Sequence, residues 1–164
     1  MRPVLVLGIV ACLAAAARAD EEGVTRAEKG TLGVGLILGE PTGVSAKLYL
    51  RDDQAIQAAV GFAFVGGGLH VHADYVFHPL ILQTRESFVL PFYLGPGVRV
   101  IDYRPDRDTN YVAIGLRAVA GLLFDFTTVP LDAFVEAGAV FEFGFSGHGG
   151  DIRLNAAAGV RYYF

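Results

Sequence analysis

Asp151-Ile152-Arg153-Leu154-Asn155-Ala156-Ala157-Ala158-Gly159-Val160-Arg161-Tyr162-Tyr163-Phe164 ends the chain and alternates with a period of two. The even positions, from Ile152 to Phe164, are all apolar or aromatic. The odd positions are charged, polar or small, apart from Tyr163. Successive side chains of a strand point to opposite faces. The spacing therefore predicts a strand with one unbroken apolar face and one polar face.

The same rule holds going back along the chain. Residues 131 to 145 set Leu131, Ala133, Val135, Ala137, Ala139, Phe141, Phe143 and Phe145 against Asp132, Phe134, Glu136, Gly138, Val140, Glu142 and Gly144. Residues 111 to 124 set Val112, Ile114, Leu116, Ala118, Ala120, Leu122 and Phe124 against a face carrying Gly115, Arg117 and Gly121. Four further segments alternate in the same way, at 88–101, 69–77, 55–64 and 43–51, and a shorter one spans 31–39. That makes eight predicted strands. Pro91 and Pro96 mar the segment at 88–101, where a bulge or bend is expected. Turn residues separate the segments: Glu40-Pro41-Thr42-Gly43, Arg51-Asp52-Asp53, Gly66-Gly67-Gly68, the stretch around His78-Pro79, Arg104-Pro105-Asp106, Thr127 to Pro130, and Gly147 to Gly150. Most are short, so an antiparallel meander in a single domain is expected from 31 to 164.

Two faces leave two senses of closure. In a soluble barrel the apolar face would point inward. Here the apolar face is long: a strand of fourteen residues at about 3.3 Å each, tilted by about 40°, spans roughly 35 Å, enough to cross a bilayer core. The other face mixes small residues with charges of both signs. Lys47, Arg99, Arg117, Arg153 and Arg161 share it with Asp74, Asp132, Glu136, Glu142 and Asp151. The lumen of an eight-stranded barrel is only wide enough for side chains to fill it. Paired charges inside and apolar residues outside is the expected arrangement, an eight-stranded antiparallel up-and-down transmembrane β-barrel. The reverse would set several charges against lipid, at about 2–4 kcal/mol for each basic residue at the midplane.

The N-terminus carries the parts of an export signal. Arg2 precedes an apolar stretch from Val4 to Ala17, and Ala17-Arg18-Ala19 is a small-x-small cleavage site before Asp20-Glu21-Glu22. Residues 1–19 are read as a signal peptide and 20–30 as a flexible polar tail. Ile9-Val10-Ala11-Cys12 loosely matches a lipoprotein acylation site, but cleavage there would leave a very short hydrophobic region. Cys12 is the single cysteine, so a chain cut after Ala19 has no disulfide to make. Losing Arg2 and Arg18 from 13 basic residues, against 17 acidic ones, leaves a formal charge of −6. That argues against a nucleic-acid partner, which would want a basic face. Beyond the N-terminus no apolar run reaches the roughly 20 residues of a spanning helix.

The segment Gly33-Val34-Gly35-Leu36-Ile37-Leu38-Gly39-Glu40-Pro41-Thr42-Gly43-Val44-Ser45-Ala46-Lys47 resembles the opening hairpin of a family of small bacterial outer-membrane β-barrel proteins of unknown function (the DUF3996 type). The segment Leu69 to His78 and the ending Gly159-Val160-Arg161-Tyr162-Tyr163-Phe164 are similar to it too. The resemblance implies an eight-stranded barrel of the OmpA/OmpX sort, located in the outer membrane of a Gram-negative bacterium. It implies partners in outer-membrane lipid and in the barrel-assembly machinery, which would read Tyr162 and Phe164 in the last strand. It implies no established activity.

Few residues offer chemistry. His70, His72 and Asp74 alternate on one strand and could ligate a metal. No second strand supplies a clear His or Cys, so a lumenal hydrogen-bond network is expected there and no cofactor. Ser146, His148 and Asp151 form a loose trio in a Gly-rich loop, a weak basis for hydrolase chemistry. Gly33-x-Gly35 and Gly66-Gly67-Gly68 precede no helix and make no phosphate loop. With both termini periplasmic, the outer connections would be Glu40–Gly43, Val65–Gly68, Arg104–Asn110 and Ser146–Gly150. The charged run Arg104-Pro105-Asp106-Arg107-Asp108 would be the loop best suited to an extracellular partner. The expected function is a non-enzymatic barrel with a structural or surface-interaction role and a lumen plugged by ion pairs. The alternatives are a narrow pore or a lipid-modifying enzyme.

Overall fold

The computed structural model describes residues 30–63, 68–106, 109–144 and 151–164. The signal peptide read at 1–19 lies outside the described residues, as does the tail at 20–30 apart from Gly30. Eight strands follow in chain order: β1 Leu32–Gly39, β2 Thr42–Arg51, β3 Gln54–Phe62, β4 Leu69–Thr84, β5 Phe88–Asp106, β6 Thr109–Phe126, β7 Leu131–Gly144 and β8 Asp151–Tyr163. Each pairs antiparallel with the next, and β8 pairs back onto β1 from Gly33↔Tyr163 to Gly39↔Ala157. The sheet is a closed up-and-down barrel, as the alternation predicts. Phe164 continues the seam beyond β8, since its N–H donates to the Leu32 carbonyl at 3.0 Å.

The register fixes the shape. Stepping across paired neighbours from Tyr163 passes through Gly33, Lys47, Gln57, Asp74, Gly97, Arg117 and Val140 and returns to β8 at Arg153, ten residues from the start. Ten residues at about 3.3 Å, set against eight strands about 4.8 Å apart, give a tilt of about 40° and a backbone radius of about 8 Å. That bore is narrow enough for inward side chains to meet across it.

Two turns illustrate how local sequence sets the hairpins. Between β1 and β2, Gly39 has φ 124°, a conformation that favours glycine, and Glu40-Pro41 is a cis peptide. The Thr42 hydroxyl accepts from the Gly39 N–H and donates to the Gly39 carbonyl, both at 3.1 Å. Between β2 and β3 the connection is Asp52-Asp53, as read from the sequence.

The structure corrects two readings. His78-Pro79 is no turn: β4 runs through it to Thr84, and the turn falls at 85–87. His78 and Pro79 together oppose Tyr93 as a bulge, because the register shifts between Phe77 and Leu80. The missing N–H of Pro79 falls where the ladder is already broken. The His78 N–H turns instead to the Asp53 carbonyl, at 2.8 Å. A second shift, between Ile81 and Gln83, lies opposite Pro91, so the irregularity expected from that proline sits on its partner strand. The second correction concerns the run Arg104–Asn110. β5 continues to Asp106 and β6 begins at Thr109, so most of the expected loop is strand.

The two faces separate as the alternation requires. Large apolar side chains stand exposed on the outer wall, among them Leu36, Phe62, Leu116, Phe141, Ile152, Leu154 and Val160. Inside, the barrel is not polar throughout. Ile37, Val76, Tyr93, Val119, Leu123 and Phe134 pack with Ala55, Ala59 and Ala157 into one apolar cluster, and Ile101 and Tyr103 form a smaller one with Ala63 and Ala113. Polar groups thread between these clusters.

Candidate functional site in the barrel lumen

Of the charged residues read as inward-facing, Lys47, Asp74, Arg99, Arg117, Asp132, Glu136, Glu142 and Arg161 are all buried, none more than 6 % exposed. Arg153 is different: its side chain is 39 % exposed at one mouth of the barrel, where it meets Asp151 at 3.0 Å. Asp151, counted as inward from its parity, is exposed, because the first residue of β8 lies at the rim.

The buried groups fall into three tiers along the bore. The lowest lies near Tyr163, at the C-terminal end of β8. Arg161 Nε donates to Asp132 Oδ1 at 3.0 Å and its guanidinium carbon sits 4.0 Å from the Phe134 ring centre. The Tyr163 hydroxyl donates to the other Asp132 oxygen at 2.5 Å. Beside them Lys47 Nζ donates to His78 Nε2 at 2.8 Å, between the rings of Tyr49 and Tyr93 at 4.9 and 5.0 Å.

The middle tier crosses the bore. Arg117 on β6 bonds Asp74 Oδ2 on β4 through Nη1, and Glu136 Oε1 on β7 through Nη2 at 2.9 Å. Gln57 Nε2 on β3 donates to Asp74 Oδ2 at 3.2 Å and to Glu136 Oε2 at 2.9 Å. The Tyr93 hydroxyl on β5 donates to Glu136 Oε2 at 2.8 Å. Side chains from three strands thus converge on two carboxylates carried by two others. Gly138 makes the room: a Cβ there would come within 2.8 Å of Arg117 Nε and 2.5 Å of Asn155 Oδ1.

In the upper tier Arg99 pairs with Glu142, and its Nη2 reaches the Tyr103 hydroxyl at 3.3 Å. Tyr103 in turn donates to Glu142 Oε2 at 3.0 Å. Arg153 Nε approaches the same carboxylate at 3.6 Å. Between the upper and middle tiers lie the two histidines read as weak metal candidates. His70 Nε2 and His72 Nδ1 are 3.2 Å apart, so one ring donates to the other. His72 Nε2 looks toward Asp74 Oδ2 at 3.8 Å and Glu136 Oε1 at 3.9 Å. Only two of the three candidates, His72 and Asp74, present atoms to a common point. The third group there is Glu136 from across the barrel, which spacing along one strand could not reveal.

Sequence reasoning also left out Gln57, Tyr93, Tyr103, Tyr163 and His78. The tyrosines occupy inward positions by simple alternation, so their parity was a usable signal. His78 was hidden by its reading as a turn. Of the weak hydrolase trio, Ser146 and His148 lie outside the described residues, and Asp151 is paired with Arg153. At the end of the seam, Tyr162 and Phe164 point outward with ring centres 5.1 Å apart.

Fold and lumen together define a closed eight-stranded barrel with an ion-paired interior. No protein-family model, curated protein or solved structure matches the chain.

Proposed function

We propose that this chain is an exported outer-membrane β-barrel of a Gram-negative bacterium, non-enzymatic, with a structural or surface-interaction role and a lumen plugged by its own ion pairs. The observation that carries this reading is the outer wall. On β8 the outward residues Ile152, Leu154, Ala156, Ala158, Val160, Tyr162 and Phe164 carry no charge, and Leu154 is 79 % exposed. On β6 and β7 the outward positions from Val112 to Phe126 and from Leu131 to Phe143 are equally free of charge. Water solvates such a belt poorly, and a bilayer matches it. Thirteen residues of β8, tilted by about 40° at about 3.3 Å each, span roughly 33 Å, close to a hydrocarbon core of about 30 Å.

Closure supports the same reading, since a barrel leaves no sheet edge unpaired in lipid. The plug rests on the middle tier, where Asp74, Arg117 and Glu136 meet across the bore. The likeness of Gly33–Lys47 to small outer-membrane barrels agrees with this location, as does an N-terminus that reads as an export signal.

Cell fractionation tests the location. The protein is expected in the outer-membrane pellet, released only by detergent, and migrating faster on a gel unheated than boiled. Recovery in the periplasmic supernatant with no heat-dependent shift would rule the location out. An unchanged lipid A mass profile on overexpression is the expected result for a barrel without lipid-modifying activity.

A further inference from the structure

We propose that the middle tier of the lumen binds one divalent transition-metal ion of the zinc class, ligated by His72 Nε2, Asp74 and Glu136. Among the described residues these side chains form a group whose ligand atoms all lie within 4.8 Å of one another, and all three residues are buried. The His72 Nε2 distances to Asp74 Oδ2 and Glu136 Oε1, 3.8 and 3.9 Å, are too long for hydrogen bonds. They suit atoms that share an ion. Ligands about 2.1 Å from a tetrahedral zinc stand about 3.4 Å apart, so the two His72 distances need to contract by about 0.5 Å, and no separation in the group by more than about 1.4 Å.

Three features of the surroundings favour a cation there. His72 has its outer support: with Nδ1–H donating to His70 Nε2 at 3.2 Å, Nε2 presents a lone pair to the two carboxylates. Among the described residues the two carboxylates are ion-paired to one guanidinium, that of Arg117, and Arg99 is the other cation acting on His72. The tier also leaves acceptors unpaired: Asp74 Oδ1 and Gln57 Oε1 are buried with no hydrogen-bond donor, while Arg117 Nε is buried with no acceptor. Burying such acceptors unpaired is costly, and a cation relieves the electrostatic part of that cost.

Arg117 does not block the site. It takes one lone pair of Glu136 Oε1, which has another; Asp74 Oδ2 accepts from both Arg117 and Gln57, so Asp74 ligates the ion once Gln57 gives up its 3.2 Å contact. One imidazole and two carboxylates select a borderline first-row ion. Calcium asks for six to eight oxygens, and magnesium for near-octahedral oxygen coordination with water retained.

The test uses the full protein, processed by its host and purified in detergent without a His tag. It is assayed as isolated, and again after unfolding and refolding with Zn2+ or Co2+ present, so that slow access to a buried site does not hide binding. The expected result is one equivalent of metal retained through gel filtration, a visible Co2+ spectrum of low coordination number, and no competition from excess Ca2+ or Mg2+. His72→Ala and Glu136→Gln, each checked for the folded gel mobility, should retain at least tenfold less, while His148→Ala retains as much as wild type. Retention below a tenth of an equivalent by refolded wild-type protein overturns the proposal. So does equal retention by a folded His72→Ala or Glu136→Gln variant.

Discussion

Asp132 and Arg161 are direct cross-strand neighbours on β7 and β8, and they close an ion pair at 3.0 Å with neither residue more than 1 % exposed. Arg161 is also paired across the seam with Gly35 of β1. The pair therefore lies beside the junction that turns a sheet into a barrel. Removing one partner strands a buried charge, which costs about 3–5 kcal/mol. Asp132→Ala should lower the unfolding free energy of the refolded barrel, read from urea titration, by that amount, with loss of the Tyr163 contact included. The double variant Asp132→Leu/Arg161→Met should lose much less, because no charge is left behind.

Gly138 and Ala139 are adjacent on β7 and face opposite ways. A side chain at 138 would collide with Arg117 and Asn155, whereas Ala139 stands exposed on the outer wall. Gly138→Val should abolish refolding or destabilise by several kcal/mol, a typical result of overpacking being about 1–3 kcal/mol or more. Ala139→Val should change the unfolding free energy by less than about 0.5 kcal/mol. Folding yield and urea titration of the two variants check the assigned faces within one dipeptide.

The middle tier bears on conduction. Arg117 holds carboxylates from β4 and β7 together across a bore of about 8 Å backbone radius. Purified wild-type protein in a planar bilayer should stay at baseline current at all voltages. Reproducible unitary steps would replace the plugged barrel with the narrow-pore alternative.

Phe164 contributes a backbone hydrogen bond to Leu32 and an outward ring that is 73 % exposed. Little of its side chain stabilises the folded barrel. Deleting it should leave detergent refolding nearly unchanged but reduce the amount of folded protein in cells, if assembly machinery reads the last strand. Pulse-chase labelling with heat-modifiable mobility as readout separates the two effects.

Alternation made most of this architecture legible. A period of two needs no tertiary information, and it placed Lys47, Arg99, Arg117, Glu136 and Arg161 inside before any pairing was known. It failed where pairing overrides local chemistry. His78-Pro79 has the composition of a turn, and Leu80-Ile81-Leu82 breaks the period. β4 nonetheless continues, because β5 offers a long partner and two bulges absorb the register. The identity of the ion pairs was not legible either. Asp74 and Glu136 lie on strands three apart, and only the ten-residue offset around the barrel brings them level. The inward Val76, Val119, Leu123 and Phe134 look like lapses in a polar face, yet they form the apolar cluster that packs between the charged tiers.

The account turns on which face of the wall meets lipid, and β8 allows that to be measured directly. Cys12 is the chain's single cysteine and precedes the barrel, so with Cys12 replaced by alanine single cysteines can be placed on a cysteine-free background. Nitroxide labels at Leu154, Ala156 and Val160, and at inward Ala157, would be scored in liposomes for collision with oxygen and with a water-soluble nickel chelate. The outward sites should show high oxygen and low chelate accessibility, and Ala157 should be shielded from both. High chelate accessibility at Leu154 and Val160 would contradict a membrane-embedded barrel.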